Sequence, residues 1–261
     1  MELSNNTILI TGGTSGFGLE FTSRLIALGN TVIITGRNQA KLDETKKRFP
    51  KVHTFQSDVT DPKAITLLYE QITKQFPDLN FLINNAGEMR KIHLLDPTID
   101  LQDITREVDI NLSGPIRMIQ QFLPHLLSKK NATILNVTSG LALVPFPVSP
   151  VYGATKSGLR SYTKSLRVQL KKTSIKVFEL VAPASSTPLS DKFKNDEGFN
   201  PKMIMPPDKL IDVAIKALQN DKLEIYPGLA RVLLVMSRLA PKVIFNQMAK
   251  LANTTFVNKT S

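Results

Sequence analysis

Short apolar runs alternate with longer amphipathic segments from residue 7 to about residue 226. The runs at 7–11 (TILIT), 31–35 (TVIIT), 52–56 (VHTFQ), 80–84 (NFLIN), 133–137 (TILNV) and 176–180 (KVFEL) have the length of strands. Most are continuous rather than alternating, as in strands covered by helices on both faces. Helical periodicity fills the intervals, at about 16–28, 39–49, 62–76, 101–127 and 152–171. A later helix at about 207–219 is followed by a short strand at 223–226. The repeated order predicts an α/β fold with a doubly wound parallel sheet and right-handed crossovers. On this reading residues 1–261 form a single domain, and two stretches, 184–207 and 228–261, resist the regular pattern.

Boundary residues add their own chemistry. Asp61-Pro62 sets a capping acid before a first-turn proline, and Gly29-Asn30 is a helix stop. Pro124 lies inside 101–127 and should kink that helix or end it early.

With 42% apolar residues the chain can bury a sizeable core. No run of about 18 apolar residues offers a transmembrane helix. Residues 1–7 lack the basic start and apolar stretch of a secretory signal, and cysteine is absent, so a cytoplasmic location is expected. Absent cysteine also removes disulfides and thiolate ligands. His53, His93 and His125 lie far apart, and no metal site is expected. The net charge of +11 raises the question of nucleic acid. The basic residues form only short groups such as Lys46-Lys47-Arg48 and Lys171-Lys172, and Trp is absent. Solvated helix faces and attraction for an anionic cofactor account for the excess better, so no nucleic-acid partner is expected.

The first strand runs into Thr11-Gly12-Gly13-Thr14-Ser15-Gly16-Phe17-Gly18 and a helix. A pyrophosphate needs close backbone approach and free amides at a helix start, and glycines permit both. The second strand ends Gly36-Arg37-Asn38, with no acid to bind a ribose 2′-hydroxyl. Arg37 instead offers a planar fork of donors to a 2′-phosphate, which favours NADP(H) over NAD; capping of the turn is the plainer role.

Tyr152-Gly153-Ala154-Thr155-Lys156 puts a phenol and an ammonium one turn apart on one helix face. The spacing gains meaning from ordered context: the glycine turn, Asn84-Asn85-Ala86-Gly87, Asn111, Ser139, then this helix. That order resembles the short-chain dehydrogenase/reductase family, whose domain is a Rossmann fold, from residue 7 to about residue 226. The resemblance implies a catalytic tetrad at Asn111, Ser139, Tyr152 and Lys156. It also implies cofactor contacts at Gly12, Thr14, Ser15, Gly16, Phe17 and Gly18, at Arg37, Asn38, Asp58 and Val59, and at Asn85, Ala86 and Gly87. Tyr152, Lys156, Pro183 and Thr187 complete that set. Asn111 is expected at a helix distortion, binding a water that links Lys156 to solvent. Where the family commonly has Pro-Gly after the sixth strand, this chain has Pro183-Ala184, which leaves the local path of that loop open. The Gly36-Arg37 strand end, with Tyr226-Pro227-Gly228 and Ser237-Arg238-Leu239-Ala240-Pro241, further resembles bacterial short-chain oxidoreductases encoded near teichoic-acid D-alanylation genes.

The implied chemistry moves a hydride between NADP(H) and a carbonyl or alcohol, and the substrate oxygen must gain or lose a proton. An ordinary Tyr hydroxyl, with a pKa near 10, is sluggish at neutral pH. Lys156 is expected to pull that value down, and Ser139 to hold the same oxygen by a hydrogen bond. A binding protein that only senses NADP on the same fold is the rival reading, and its mark would be a damaged tetrad.

Residues 140–150 carry apolar side chains and Pro145, Pro147 and Pro150, which suggests a rigid greasy wall. The segment 185–205 occupies the family's variable substrate lid, with Lys192, Phe193, Lys194, Met203 and Met205. A small-molecule substrate with an apolar portion is expected, unless these residues only pack the loop. The tail 228–261 has five basic residues and no acid. It reads either as a membrane-surface helix or, preferred here, as a helix covering the pocket or a subunit interface. A homo-oligomer, dimer or tetramer, is expected from the family.

Overall fold

Seven parallel strands lie in the order β3-β2-β1-β4-β5-β6-β7 in the computed structural model, which describes residues 1–193 and 204–257. They are β1 (Thr7–Thr11), β2 (Thr31–Gly36), β3 (His53–Gln56), β4 (Leu79–Asn84), β5 (Ala132–Ser139), β6 (Ile175–Ala182) and β7 (Glu224–Ile225). Alternate residues of each strand feed opposite layers, as the two-residue period requires. Ile8, Ile10, Val32 and Ile34 join one core with α1 (Gly16–Ala27), α2 (Gln39–Arg48) and α7 (Pro207–Gln219). Leu9, Ile33, Leu82 and Ile134 join the other with α3 (Pro62–Gln75), α5 (Gly114–Leu127) and α6 (Pro150–Gln169). Full burial of each such side chain contributes about 1.5–3 kcal/mol, so both layers are held firmly to the sheet.

Four features depart from the expected pattern. The segment 101–127 is not one helix: a 3₁₀ turn (Asp103–Thr105), a one-turn α4 (Arg106–Val108) and a π turn (Asp109–Ser113) precede α5. Pro115 explains the π turn, because it lacks the amide that an α-helix would aim at the Asn111 carbonyl. Pro124 does not end α5, which runs on to Leu127. It lies near the helix end on the solvent face, beside an exposed Gln120 whose carbonyl water can reach. β5 extends past Val137 to Ser139 because it pairs with β6 along its whole length, from Ala132↔Ile175 to Ser139↔Ala182. The tail is regular: α8 (Leu229–Leu239) and α9 (Pro241–Val257) fold back over the segment that follows β5.

Of the segment 184–207, residues 194–203, with Lys194 and Met203, lie outside the described residues. Its two described ends are joined. Met205 N donates to the Ala184 carbonyl at 3.0 Å, and the Ser185 hydroxyl donates to the Met205 carbonyl.

Candidate active site

Strand order reverses between β1 and β4, and a crevice opens beyond the carboxyl ends of the strands at such a point. The turn after β1 enters it through Gly12 and Gly16, both in left-handed backbone, at φ +66° and +51°. A Cβ on Gly12 would lie 2.9 Å from Ala86 Cα, and one on Gly18 would lie 2.2 Å from the Gly12 carbonyl oxygen. The turn is tied to the end of β4. Asn85 Nδ2 donates to the Thr11 and Gly12 carbonyls at 3.0 and 3.1 Å, and the amides of Asn85 and Ala86 donate to Thr11 Oγ1. These amide groups therefore shape the turn. Ser15 caps α1 without a side-chain bond, which leaves the first amides and the positive end of the helix dipole to an anion. Thr14 lies beside Gly36, Thr187 lies against Gly16, and Phe17 packs into the core below.

At the end of β2 the Arg37 guanidinium is 60% exposed, 4.0 Å from Asp58 Oδ2. Asp58 Oδ1 accepts from the amide and hydroxyl of Thr60 at 2.9 Å. Asn38 Oδ1 caps α2 by accepting from Lys41 N at 3.0 Å, so this side-chain oxygen serves the helix start. Val59 is buried against Gly114, and Pro183 is buried after β6. Ala184 has no positive φ, so the loop path here suits an ordinary residue. These groups fit a dinucleotide: free amides at a helix start, glycines where backbone must come close, and an exposed cation at the β2 edge.

The four tetrad positions converge from three elements. Ser139 is the last residue of β5, and its Oγ accepts from Leu141 N at 3.1 Å. Tyr152 and Lys156 project from one face of α6, and the Ser139 side chain faces the phenol and opposes the rise in its pKa. Lys156 Nζ donates to the Val137 carbonyl at 3.0 Å and sits 5.7 Å from the centre of the Tyr152 ring. Asn111 lies in the π turn, fully buried. Its Oδ1 accepts from Glu88 N at 2.8 Å, and its Nδ2 donates to Glu88 O at 2.7 Å and to Thr155 Oγ1 at 3.2 Å. Gly87 leaves room between them: a Cβ there would be 3.2 Å from Asn111 Oδ1 and 3.7 Å from Lys156 Nζ.

Burial works against one electrostatic expectation. Burial pushes the Tyr152 phenol up to about 12, with the Glu107 carboxylate adding to the rise and the Ser139 bond opposing it. Lys156 does not offset this; burial pushes its own ammonium down to about 8. The tyrosine is only 6% exposed, because Met89, Val148 and Phe193, with the half-buried Leu189, pack around its ring. Leu189 and Phe193 belong to the segment read as a lid, and their cover is what sequence spacing could not reveal. Sequence reasoning also missed Glu88, Arg90 and Glu107 beside the tetrad. The single acid of Arg106-Glu107-Val108, one turn before Asn111, was the available signal.

Beyond the tetrad a groove of about 460 Å³ runs between residues 141–150, the outer side of α6 at Ala154 and Ser157, and Phe245 of α9. Leu141 and Phe146 belong both to this groove and to the surroundings of Tyr152. The tail covers the segment after β5: Leu233 lies against Gly140, and Phe245 forms one groove wall.

Comparison with known proteins gives this arrangement a context. A family model described as short chain dehydrogenase matches residues 6–198. An uncharacterized oxidoreductase of Bacillus subtilis, DltE, is 41% identical over 225 residues, covering 86% of this chain and 89% of its own. This agrees with the narrower resemblance drawn from the β2 end and the tail. Among solved structures, a short-chain dehydrogenase from Burkholderia cenocepacia in complex with NADP superposes with a TM-score of 0.81 at 22% identity, over 95% of this chain and 99% of that one. A Burkholderia phymatum short-chain dehydrogenase/reductase in complex with NAD gives the same TM-score at 20% identity, over 95% and 96% of the two chains. From the extent of the family match and the identity to DltE, the chain belongs to the short-chain dehydrogenase family of oxidoreductases.

Proposed function

We propose that the protein is an NADP(H)-dependent reductase of a carbonyl group on a partly apolar small molecule, with the alcohol as product. The observation that carries this is the convergence of Ser139, Tyr152 and Lys156 at the crevice end of β5, beside a glycine turn and an exposed Arg37. When bound, the nicotinamide supplies the hydride that reaches the carbonyl carbon. Tyr152 gives its hydroxyl proton to the carbonyl oxygen, and Ser139 donates a hydrogen bond to that oxygen and holds it in place. Lys156 neighbours the phenol and takes up or releases a proton near pH 8, and Asn111 keeps the Glu88 backbone in place beside it. The first amides of α1 would hold the pyrophosphate, and Arg37 a 2′-phosphate, with Thr14, Asp58, Val59, Gly87, Pro183 and Thr187 around them. The apolar groove from Leu141 to Phe245 supports an apolar substrate portion. An intact tetrad favours this reading over a sensor that only binds the cofactor. We further infer a homo-oligomer acting in the cytoplasm.

The deciding measurement is oxidation of NADPH, with NADH beside it, against aldehydes and ketones of increasing chain length. Turnover that rises with chain length and is lost in Tyr152→Phe supports the proposal; none with any carbonyl overturns it. For the phosphate role, Arg37→Ala should raise the KM for NADPH tenfold or more and leave that for NADH nearly unchanged. Equal losses for both would remove Arg37 from that role.

A further inference from the structure

Glu107 is 0% exposed, one helical turn before Asn111, and the hydride chemistry above does not use it. Both its oxygens are engaged by one residue: Oε1 accepts from Arg90 N at 3.0 Å, and Oε2 from Arg90 Nε at 3.3 Å. Arg90 is anchored in turn by the Asp103 carboxylate, and it donates to the carbonyls of Asp103 and Ile104 at 2.8 and 3.2 Å. Four residues on, Asn111 makes the matching clasp on the amide and carbonyl of Glu88. Two side chains one turn apart thus grip the backbone at 88 and 90. The residue between them, Met89, belongs to the same buried cluster as Tyr152. α4, which carries Glu107, packs directly on α6, which carries the tyrosine.

Stability alone accounts poorly for such a pair. Desolvating a carboxylate and a guanidinium costs several kcal/mol, and apolar residues of similar volume often hold a fold as well or better. We propose that Glu107 is a positioning residue for Tyr152: with Asn111 it fixes the Glu88-Met89-Arg90 strip, whose Met89 shares the buried cluster of the tyrosine, and it buries a carboxylate in α4 against the helix that carries the phenol. This rests on the reading of Tyr152 as the acid–base group. The carboxylate opposes ionisation of the phenol, in the same direction as burial. Lys156 from α6 also faces the tyrosine, with its ammonium turned to the Val137 carbonyl. Glu107 itself is faced by Arg90 and, more weakly, by Glu88; Asp103 and Arg106 complete the outer part of the network. The arrangement keeps the proton on Tyr152 until a carbonyl oxygen is there to take it.

The test compares the wild-type chain with Glu107→Gln, which keeps the shape and one acceptor while removing the charge. Phenolate absorbance is read in the first moments after a jump to alkaline pH, before unfolding. The four tyrosines are resolved by subtracting the same record from the Tyr152→Phe form of each chain. The expected result is a Tyr152 titration moved to lower pH in Glu107→Gln. An unmoved titration overturns the proposal. Should Glu107→Gln fail to fold, the R90Q/E107Q double variant removes both charges together and is read the same way. In turnover of NADPH with decanal, Glu107→Gln should lower kcat at least fivefold and leave the KM for NADPH unchanged. A moved titration with no turnover of any carbonyl in the wild type upholds the positioning and removes the proposed reaction.

Discussion

Lys156 Nζ is bonded to the Val137 carbonyl of β5 at 3.0 Å, so its ammonium is held by backbone dipole in a buried site rather than by a carboxylate. Burial lowers it from 10.5 to about 8. A lysine with a depressed native pKa destabilises the fold while it is protonated, because the unfolded chain carries that proton at less cost. The penalty is full below pH 8 and disappears as pH rises toward 10.5, where the unfolded chain also loses the proton. At about 1.4 kcal/mol per pH unit it amounts to about 3–4 kcal/mol at most. Lys156→Met is therefore expected to be more stable than the wild type at pH 7, with the difference shrinking between pH 8 and pH 10.5. Urea unfolding at several pH values measures it; a variant less stable at pH 7 would contradict the assignment.

Removing the phenol oxygen should separate chemistry from fold. In Tyr152→Phe the ring keeps its contacts with Met89, Val148 and Phe193, and Ser139 keeps its bond from Leu141 N. Loss of a positioned acid typically costs about 10²–10⁴ in rate, whereas one buried hydroxyl pair contributes about 0.5–1.5 kcal/mol to stability. NADPH oxidation should fall by that factor while the melting temperature moves by a few degrees. Ser139→Ala should lose less, because its oxygen aids the proton transfer without supplying the proton.

Much of this molecule was legible from local patterns. Continuous apolar runs revealed buried parallel strands, and the glycines at 12, 16 and 18 revealed the turn, because both signals depend on neighbours in sequence. Ser139, Tyr152 and Lys156 could be placed from sequence because they sit at a strand end and on one helix face, whereas Asn111, in a π turn, could be placed only by resemblance. Other features needed the third dimension. Arg90 and Glu107 are 17 residues apart, and no spacing rule pairs them. Burial opposes the expected downward pull of Lys156 on Tyr152, and spacing shows that two groups are near without showing that both are buried. Pro124 drew attention as the helix breaker, while Pro115, at the carbonyl of Asn111, was the proline that mattered.

Two glycine substitutions should fail in different ways. In Gly18→Ala the new methyl would lie 2.2 Å from the Gly12 carbonyl oxygen and 2.6 Å from Asn85 Nδ2, so the turn and its clasp must shift together. Overpacking of this kind costs about 1–3 kcal/mol, and NADPH affinity should fall with it. Gly29→Ala meets nothing within 4 Å and only strains a left-handed residue at φ +80°, at about 1–2 kcal/mol. Its NADPH affinity should equal that of the wild type. Titration of NADPH fluorescence against both variants, beside their unfolding curves, separates a cofactor turn from a merely structural one.

Arg160 and Glu179 bind α6 to β6 in the interior, with Nη1 2.8 Å from Oε2 and the carboxylate fully buried. Thr138 Oγ1 donates to the other oxygen at 2.7 Å, and Tyr226 accepts from Arg160 Nη2 at 2.7 Å. Burial holds the Glu179 carboxyl above its ordinary 4.5, with Arg160 opposing the rise. Arg160→Met removes that opposition and leaves an uncompensated buried charge, which costs about 3–5 kcal/mol. An acid with a raised native pKa keeps its proton in the fold where the unfolded chain has lost it, so stability falls as pH rises from 4.5 through the native value. The deficit of Arg160→Met should therefore shrink as pH falls toward 4.5. Adding Glu179→Met should remove the pH dependence and recover most of the loss. A deficit independent of pH would mean that Arg160 acts through packing of its stem, and that Glu179 is neutral in the native protein.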